Sequence, residues 1–131
     1  MENKMLKILL VDDDRFLLDM YSLKFKKSGV EIDPVSSSTG ALDKLRAGNA
    51  YDVIILDIIM PTMDGIDLLK TIRAEKLSPD SVVIMLTNQS DDIEKAKAFV
   101  IDGYIIKATT IPSEVVEQVL GIYNNKSTHK L

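Results

Sequence analysis

The chain has 131 residues, 46% of them hydrophobic, which suits one domain around one continuous core, and a single domain is the expectation. With 16 Lys and Arg against 20 Asp and Glu the net charge is -4, which argues against a broad electrostatic grip on nucleic acid or on an anionic membrane. The absence of Cys removes disulfides, thiol nucleophiles and thiolate metal sites together and fits a reducing compartment.

The opening Met1-Glu2-Asn3-Lys4 has the pattern of neither a signal nor a transit peptide, and no apolar stretch approaches bilayer-spanning length. The expectation is a cytoplasmic protein without membrane insertion. Residues 6–11 form a short apolar run of the kind found in a strand buried on both faces. Leu17, Met20, Tyr21 and Phe25 follow at helical spacing and stop before Gly29. The run 30–35 alternates apolar and polar residues and contains Pro34, whose missing N–H confines the strand to a sheet edge or the residue to a strand end. Residues 53–56 repeat the buried-strand pattern. After Asp64-Gly65, Ile66, Leu68, Leu69 and Ile72 mark the next helix. Residues 82–86 and 104–106 are two further buried strands, and helices are predicted to begin near Ser90, an N-cap residue, and near Pro112, suited to a first turn. Val115, Val116, Val119, Leu120 and Tyr123 form the apolar stripe of the last helix. The polar residues from Asn124 onward are expected to fray, so the domain is read as 1–124 with a tail at 125–131. Five strand–helix units predict an α/β fold, an open parallel sheet with helices on both faces.

In such a sheet the binding site lies beyond the carboxyl ends of the strands where the winding reverses, here between the first strand and the third. The first strand ends in Asp12-Asp13-Asp14 and the third in Asp57, so Asp13 and Asp57, 44 residues apart, are expected across one crevice. Clustered carboxylates repel unless a cation neutralises them, and an all-oxygen, solvent-open set favours Mg²⁺ over a soft metal. A carboxylate beside such a metal is able to attack a phosphoryl group and form an acyl phosphate, and Asp57 is the best placed nucleophile. Asp14 reads as a helix cap rather than a ligand, Asp64-Gly65 as a cap and turn, and Asp91-Asp92 as first-turn acids that favour a helix dipole. Glycines at 29, 40, 48, 65, 103 and 121 spell neither a Walker A loop nor a dinucleotide fingerprint.

The segments Ile8-Leu9-Leu10-Val11-Asp12-Asp13-Asp14, Asp57-Ile58-Ile59-Met60-Pro61-Thr62-Met63-Asp64-Gly65, Leu86-Thr87 and Asp102-Gly103-Tyr104-Ile105-Ile106-Lys107 resemble, in order and spacing, the response-regulator receiver family of two-component signalling. The resemblance runs over essentially the whole chain. It implies a flavodoxin-like, doubly wound five-stranded parallel sheet in the order 2-1-3-4-5. It further implies that Asp57 accepts a phosphoryl group, that Asp12, Asp13, Asp57 and the Ile59 carbonyl hold Mg²⁺, and that Lys107 contacts a phosphoryl oxygen. By the same resemblance the Thr87 hydroxyl moves to the phosphoryl group, Tyr104 turns inward behind it, and helix four, strand five and helix five form the readout surface. The implied partners are a sensor histidine kinase or histidine phosphotransfer protein and an unidentified downstream protein, with no direct nucleic-acid contact and a monomer or weak homodimer.

One departure from the family is Ala108 where Pro usually follows the Lys, often with a cis bond; a cis Lys107–Ala108 bond would cost about 2.5–4 kcal/mol, so trans is expected, with a rearranged loop. Ile59, Asn88 and Gln89 are read as modulators of phosphoryl lifetime, the first two by hindering an attacking water. Two rivals stand beside this reading. Asp12-Asp13-Asp14 resembles the first motif of haloacid-dehalogenase-like phosphatases, although the following Thr or Val and the later acidic pair are missing. A phosphate-independent interaction module would keep the fold and ignore the chemistry.

Overall fold

The computed structural model describes residues 5–88, 91–97 and 99–129. In chain order these form β1 (Lys7–Val11), α1 (Arg15–Lys27), β2 (Glu31–Val35), α2 (Ser38–Arg46), β3 (Val53–Asp57), α3 (Gly65–Ala74), β4 (Val82–Thr87), α4 (Asp91–Lys97), β5 (Gly103–Ile106), a short 3₁₀ turn (Lys107–Thr109) and α5 (Pro112–His129). All strand pairings are parallel and the order is β2-β1-β3-β4-β5, as expected.

The continuous apolar runs follow from double coverage. Successive side chains of a strand point to opposite faces, so a strand with helices on both sides has no polar face to spare. Leu9, Val11, Ile54, Leu56, Val83 and Met85 pack toward α2, α3 and Ala96 of α4, while Ile8, Leu10, Val53, Ile55, Ile84, Leu86 and Ile105 pack toward α1 and α5. A residue such as Leu56, fully enclosed, would cost about 2–5 kcal/mol on truncation to Ala. Pro34 sits in edge strand β2 opposite Leu10, where its missing donor harms only the open side.

The helix starts follow the capping chemistry. Asp14 accepts from the Leu17 amide at 3.2 Å, Ser37 from Gly40 at 3.1 Å and Asp64 from Asp67 at 2.9 Å. Ser90, expected to cap α4, lies outside the described residues. Two details differ from expectation. The polar segment from Asn124 does not fray at once: α5 is helical through His129, and Lys126 reaches back to Asp102 at 2.6 Å. Gly65 is required by close approach rather than by a turn conformation, because a Cβ there would collide with the Asp57 carbonyl; the left-handed residue of that loop is Thr62, at φ 69°. No described helix is long and apolar enough to cross a membrane.

Candidate functional site

The register sets the geometry. Val11 pairs with Leu56, so the next residues of β1 and β3, Asp12 and Asp57, emerge side by side at the carboxyl edge. Asp12 is fully buried: its amide donates to the Val35 carbonyl at 3.1 Å, one carboxylate oxygen accepts from the Asp14 amide at 3.0 Å, and the other accepts from Lys107 Nζ at 2.8 Å. Asp57 is 6% exposed and stands 3.2 Å from the same ammonium. Asp13, on the rim, is exposed. One oxygen from each of Asp12, Asp13 and Asp57 lies within 4.8 Å of the others, while Asp14 is engaged as a cap and stands outside the set.

Two buried carboxylates thus share one ammonium, with the third, Asp13, beside them. Burial pushes the Asp57 carboxyl up, Lys107 pulls it down and Asp12 pushes it up again, leaving it at about 7. Burial also works against the Lys107 ammonium, but its hydrogen bond to Asp12 and the charge of Asp57 outweigh that and raise its pKa. The site is short of positive charge. A hard divalent cation fits this donor set, all oxygen and partly open to solvent, and would relieve that shortage.

Lys107 reaches the carboxylates although no Pro follows it. No described peptide bond is cis, so Lys107–Ala108 is trans, and the chain turns away through the 3₁₀ segment that begins at Lys107 itself. With this loop the ammonium stands 2.8 Å from Asp12 and 3.2 Å from Asp57. Ile59, 58% exposed, and Asn88 line a crevice of about 320 Å³ together with Asp13, Asp14, Leu17, Asp57 and Lys107. Gln89 lies outside the described residues. Thr87 is fully buried at the end of β4, one position beyond Leu86, which pairs with Asp57. Tyr104 on β5 is 46% exposed, with Lys97 Nζ 5.6 Å from its ring centre.

Sequence reasoning missed three features. It assigned Lys107 to a phosphoryl oxygen without seeing Asp12 as its anchor, a contact across 95 residues that no local pattern encodes. It missed Leu17 as a wall of the crevice, though the position one turn into a helix that starts at the site could have suggested it. Lys97 beside Tyr104 left no sequence signal.

Comparison with known proteins places these observations in context. Residues 8–119 match the family model of the response regulator receiver domain. The transcriptional regulatory protein ResD of Bacillus subtilis is 32% identical over 123 residues, covering 92% of this chain and 49% of its own length. This chain spans about half or less of the first curated relatives it matches. Among solved structures, the response regulator TrrA of Thermotoga maritima, in complex with Mg²⁺ and BeF, superposes with a TM-score of 0.77 at 32% identity, covering 90% of this chain and 99% of that one. A CheY-like receiver domain protein of Methanospirillum hungatei gives 0.84 at 25% identity, covering 96% and 99%.

Proposed function

Because the chain belongs to the response regulator receiver domain family, signalling switches rather than classical enzymes, we propose that it is switched by Mg²⁺-dependent transfer of a phosphoryl group from a phosphohistidine donor to Asp57. The observation that carries the proposal is the buried Asp12–Lys107–Asp57 arrangement beside exposed Asp13, one cation among three carboxylates. An Asp57 oxygen attacks phosphorus, the P–N bond to the donor imidazole breaks, and the donor leaves as neutral histidine after taking a proton. Asp12, Asp13, Asp57 and the Ile59 carbonyl would hold Mg²⁺, which when bound supplies positive charge to the transferring oxygens. Lys107, already aimed at Asp57, supplies a second cation to those oxygens. Asp12 holds that ammonium in place, and burial of the Asp12–Lys107 pair keeps the contact strong by excluding water.

Ile59 and Asn88 at the mouth of the crevice hinder a water in line with the acyl phosphate, so its loss is slow without a partner. Thr87 moves to the phosphoryl group and Tyr104 turns inward behind it, which alters the surface of α4, β5 and α5 that a downstream protein reads. The donor is a sensor histidine kinase or histidine phosphotransfer protein, in the cytoplasm. A phosphate-independent module would draw its case from Ala108 in place of Pro; the contacts of Lys107 with Asp12 and Asp57 support the phosphorylated reading instead.

The test is intact-mass measurement after incubation with acetyl phosphate, with and without Mg²⁺, on the chain and on Asp57→Asn. One added phosphoryl group that requires both Mg²⁺ and Asp57 is the expected result. No adduct on a folded, Mg²⁺-binding chain would overturn the proposal.

A further inference from the structure

Tyr104 is half-exposed in surroundings that would reward burying it. In the β4–β5 register it pairs with Met85, and Ile106 pairs with Thr87, so these four residues form one row on the same face of the sheet. Met85 and Thr87 are fully buried, yet Tyr104 is 46% exposed. An aromatic ring is among the largest apolar surfaces a side chain can bury, so an outward position next to buried neighbours calls for a compensating contact. Lys97 supplies one, with its ammonium 5.6 Å from the ring centre, within the range of a cation–π attraction. Lys97 is in turn 3.4 Å from Glu94 one turn back on α4.

The base from which Lys97 acts is held by a different element. From α3, Arg73 donates to the Val100 carbonyl at 2.9 Å and the Lys70 ammonium lies 5.5 Å from the Phe99 ring. Both contacts grip the residues immediately after α4. Val100 itself adopts φ 55°, a left-handed conformation that β-branched residues rarely take, so the path from α4 into β5 is held in place rather than relaxed.

We propose that Lys97 is a latch on the switch aromatic: it stabilises the outward position of Tyr104 and so biases the chain against its phosphorylated conformation. The proposal rests on the switch reading above and adds the residue that sets its resting balance. The latch favours one of two states by the strength of one exposed cation–π contact, so releasing it shifts the balance about two- to five-fold.

The experiment compares Lys97→Gln and Lys97→Arg, each alone and in a Tyr104→Leu background, by the rate of Asp57 phosphorylation with acetyl phosphate and Mg²⁺. Lys97→Gln is expected to speed phosphorylation about two- to five-fold and Lys97→Arg to leave it near the original rate. In the Tyr104→Leu background, Lys97→Gln is expected to have no effect, since the contact it removes is already gone. The long-range charge of Lys97 acts in the opposite direction, because removing a cation weakens attraction of an anionic donor. A slower or unchanged rate in Lys97→Gln, or an acceleration that persists in the Tyr104→Leu background, would overturn the latch. Fluorotyrosine incorporation separates the latch from the function itself. The resonance of Tyr104, assigned through Tyr104→Phe, is expected to move in Lys97→Gln without any donor present, and an unmoved resonance counts against the latch even where phosphorylation fails altogether.

Discussion

Two partly or wholly enclosed carboxylates in this molecule, Asp33 and Asp57, each face a lysine, and they come out oppositely. Asp33 on β2 has a separate donor for each oxygen, Lys44 Nζ at 2.8 Å and the Tyr51 hydroxyl at 2.7 Å. Burial works against its ionised form, but those two hydrogen bonds outweigh it and its pKa is lowered. Asp57 on β3 shares a single ammonium with Asp12, which holds it more closely, and its pKa rises to about 7. A carboxylate that serves the fold is given its own partners. On the function proposed above, one that serves chemistry is kept short of them, so that a cation and a phosphoryl group complete what the protein leaves incomplete.

The comparison breaks most sharply at Lys107. Lys107→Met leaves Asp12 and Asp57 buried without their cation and is expected to cost about 3 kcal/mol at pH 8 in urea unfolding, with much of the loss recovered at lower pH as a carboxyl takes up a proton. A neutral effect across the pH range would mean that the acidic set is less strained than its geometry implies. Asp57→Asn acts in the opposite direction. Because the folded pKa of about 7 lies above the unfolded value near 3.8, the native state binds more protons between those limits and loses stability as pH rises through them. Asp57→Asn is therefore expected to match the original chain near pH 4, to exceed it by about 2 kcal/mol at pH 8, and to lose that advantage when Mg²⁺ is added. The pKa difference sets a ceiling of roughly 4 kcal/mol, and about half of it is expected because Asn gives up the ion pair with Lys107. Thermal or urea unfolding at both pH values, with EDTA or Mg²⁺, reads the difference directly.

At the other carboxylate the sign reverses. Asp33 has a lowered folded pKa, so its contribution is present above the unfolded value and is lost as pH falls through the folded one. Asp33→Asn is expected to destabilise by about 1 kcal/mol at neutral pH, a difference that fades as pH falls below the ordinary carboxylate range, and Mg²⁺ should not change it. The smallest effect comes from a site away from both. Val100→Asn relieves the left-handed backbone at φ 55° and is expected to stabilise by about 0.5–1 kcal/mol with no pH dependence between 4 and 8, which makes it the reference for the other two curves.

Much of this molecule can be read from the order of its residues, and the reasons are local. Runs such as 53–56 and 82–86 are uniformly apolar because helices cover both faces of the sheet, Pro34 marks an edge because it has no amide to donate, and Asp14 and Asp64 mark helix starts because their oxygens satisfy free amides. Parallel winding then brings strand ends that are 44 residues apart in sequence to one edge, which is why residue order alone suffices to group Asp12, Asp13 and Asp57. Tertiary structure alone decided how charge is shared there. That Lys107 is gripped by Asp12 as well as facing Asp57, that Tyr104 lies outward under Lys97, and that Gly65 answers to a carbonyl rather than to a turn all depend on distances between elements that are far apart in the chain. Periodicity reports which face of a strand or helix is buried. It carries no information on which of several buried charges stands closest to a given ammonium, and at this site that distance sets the chemistry.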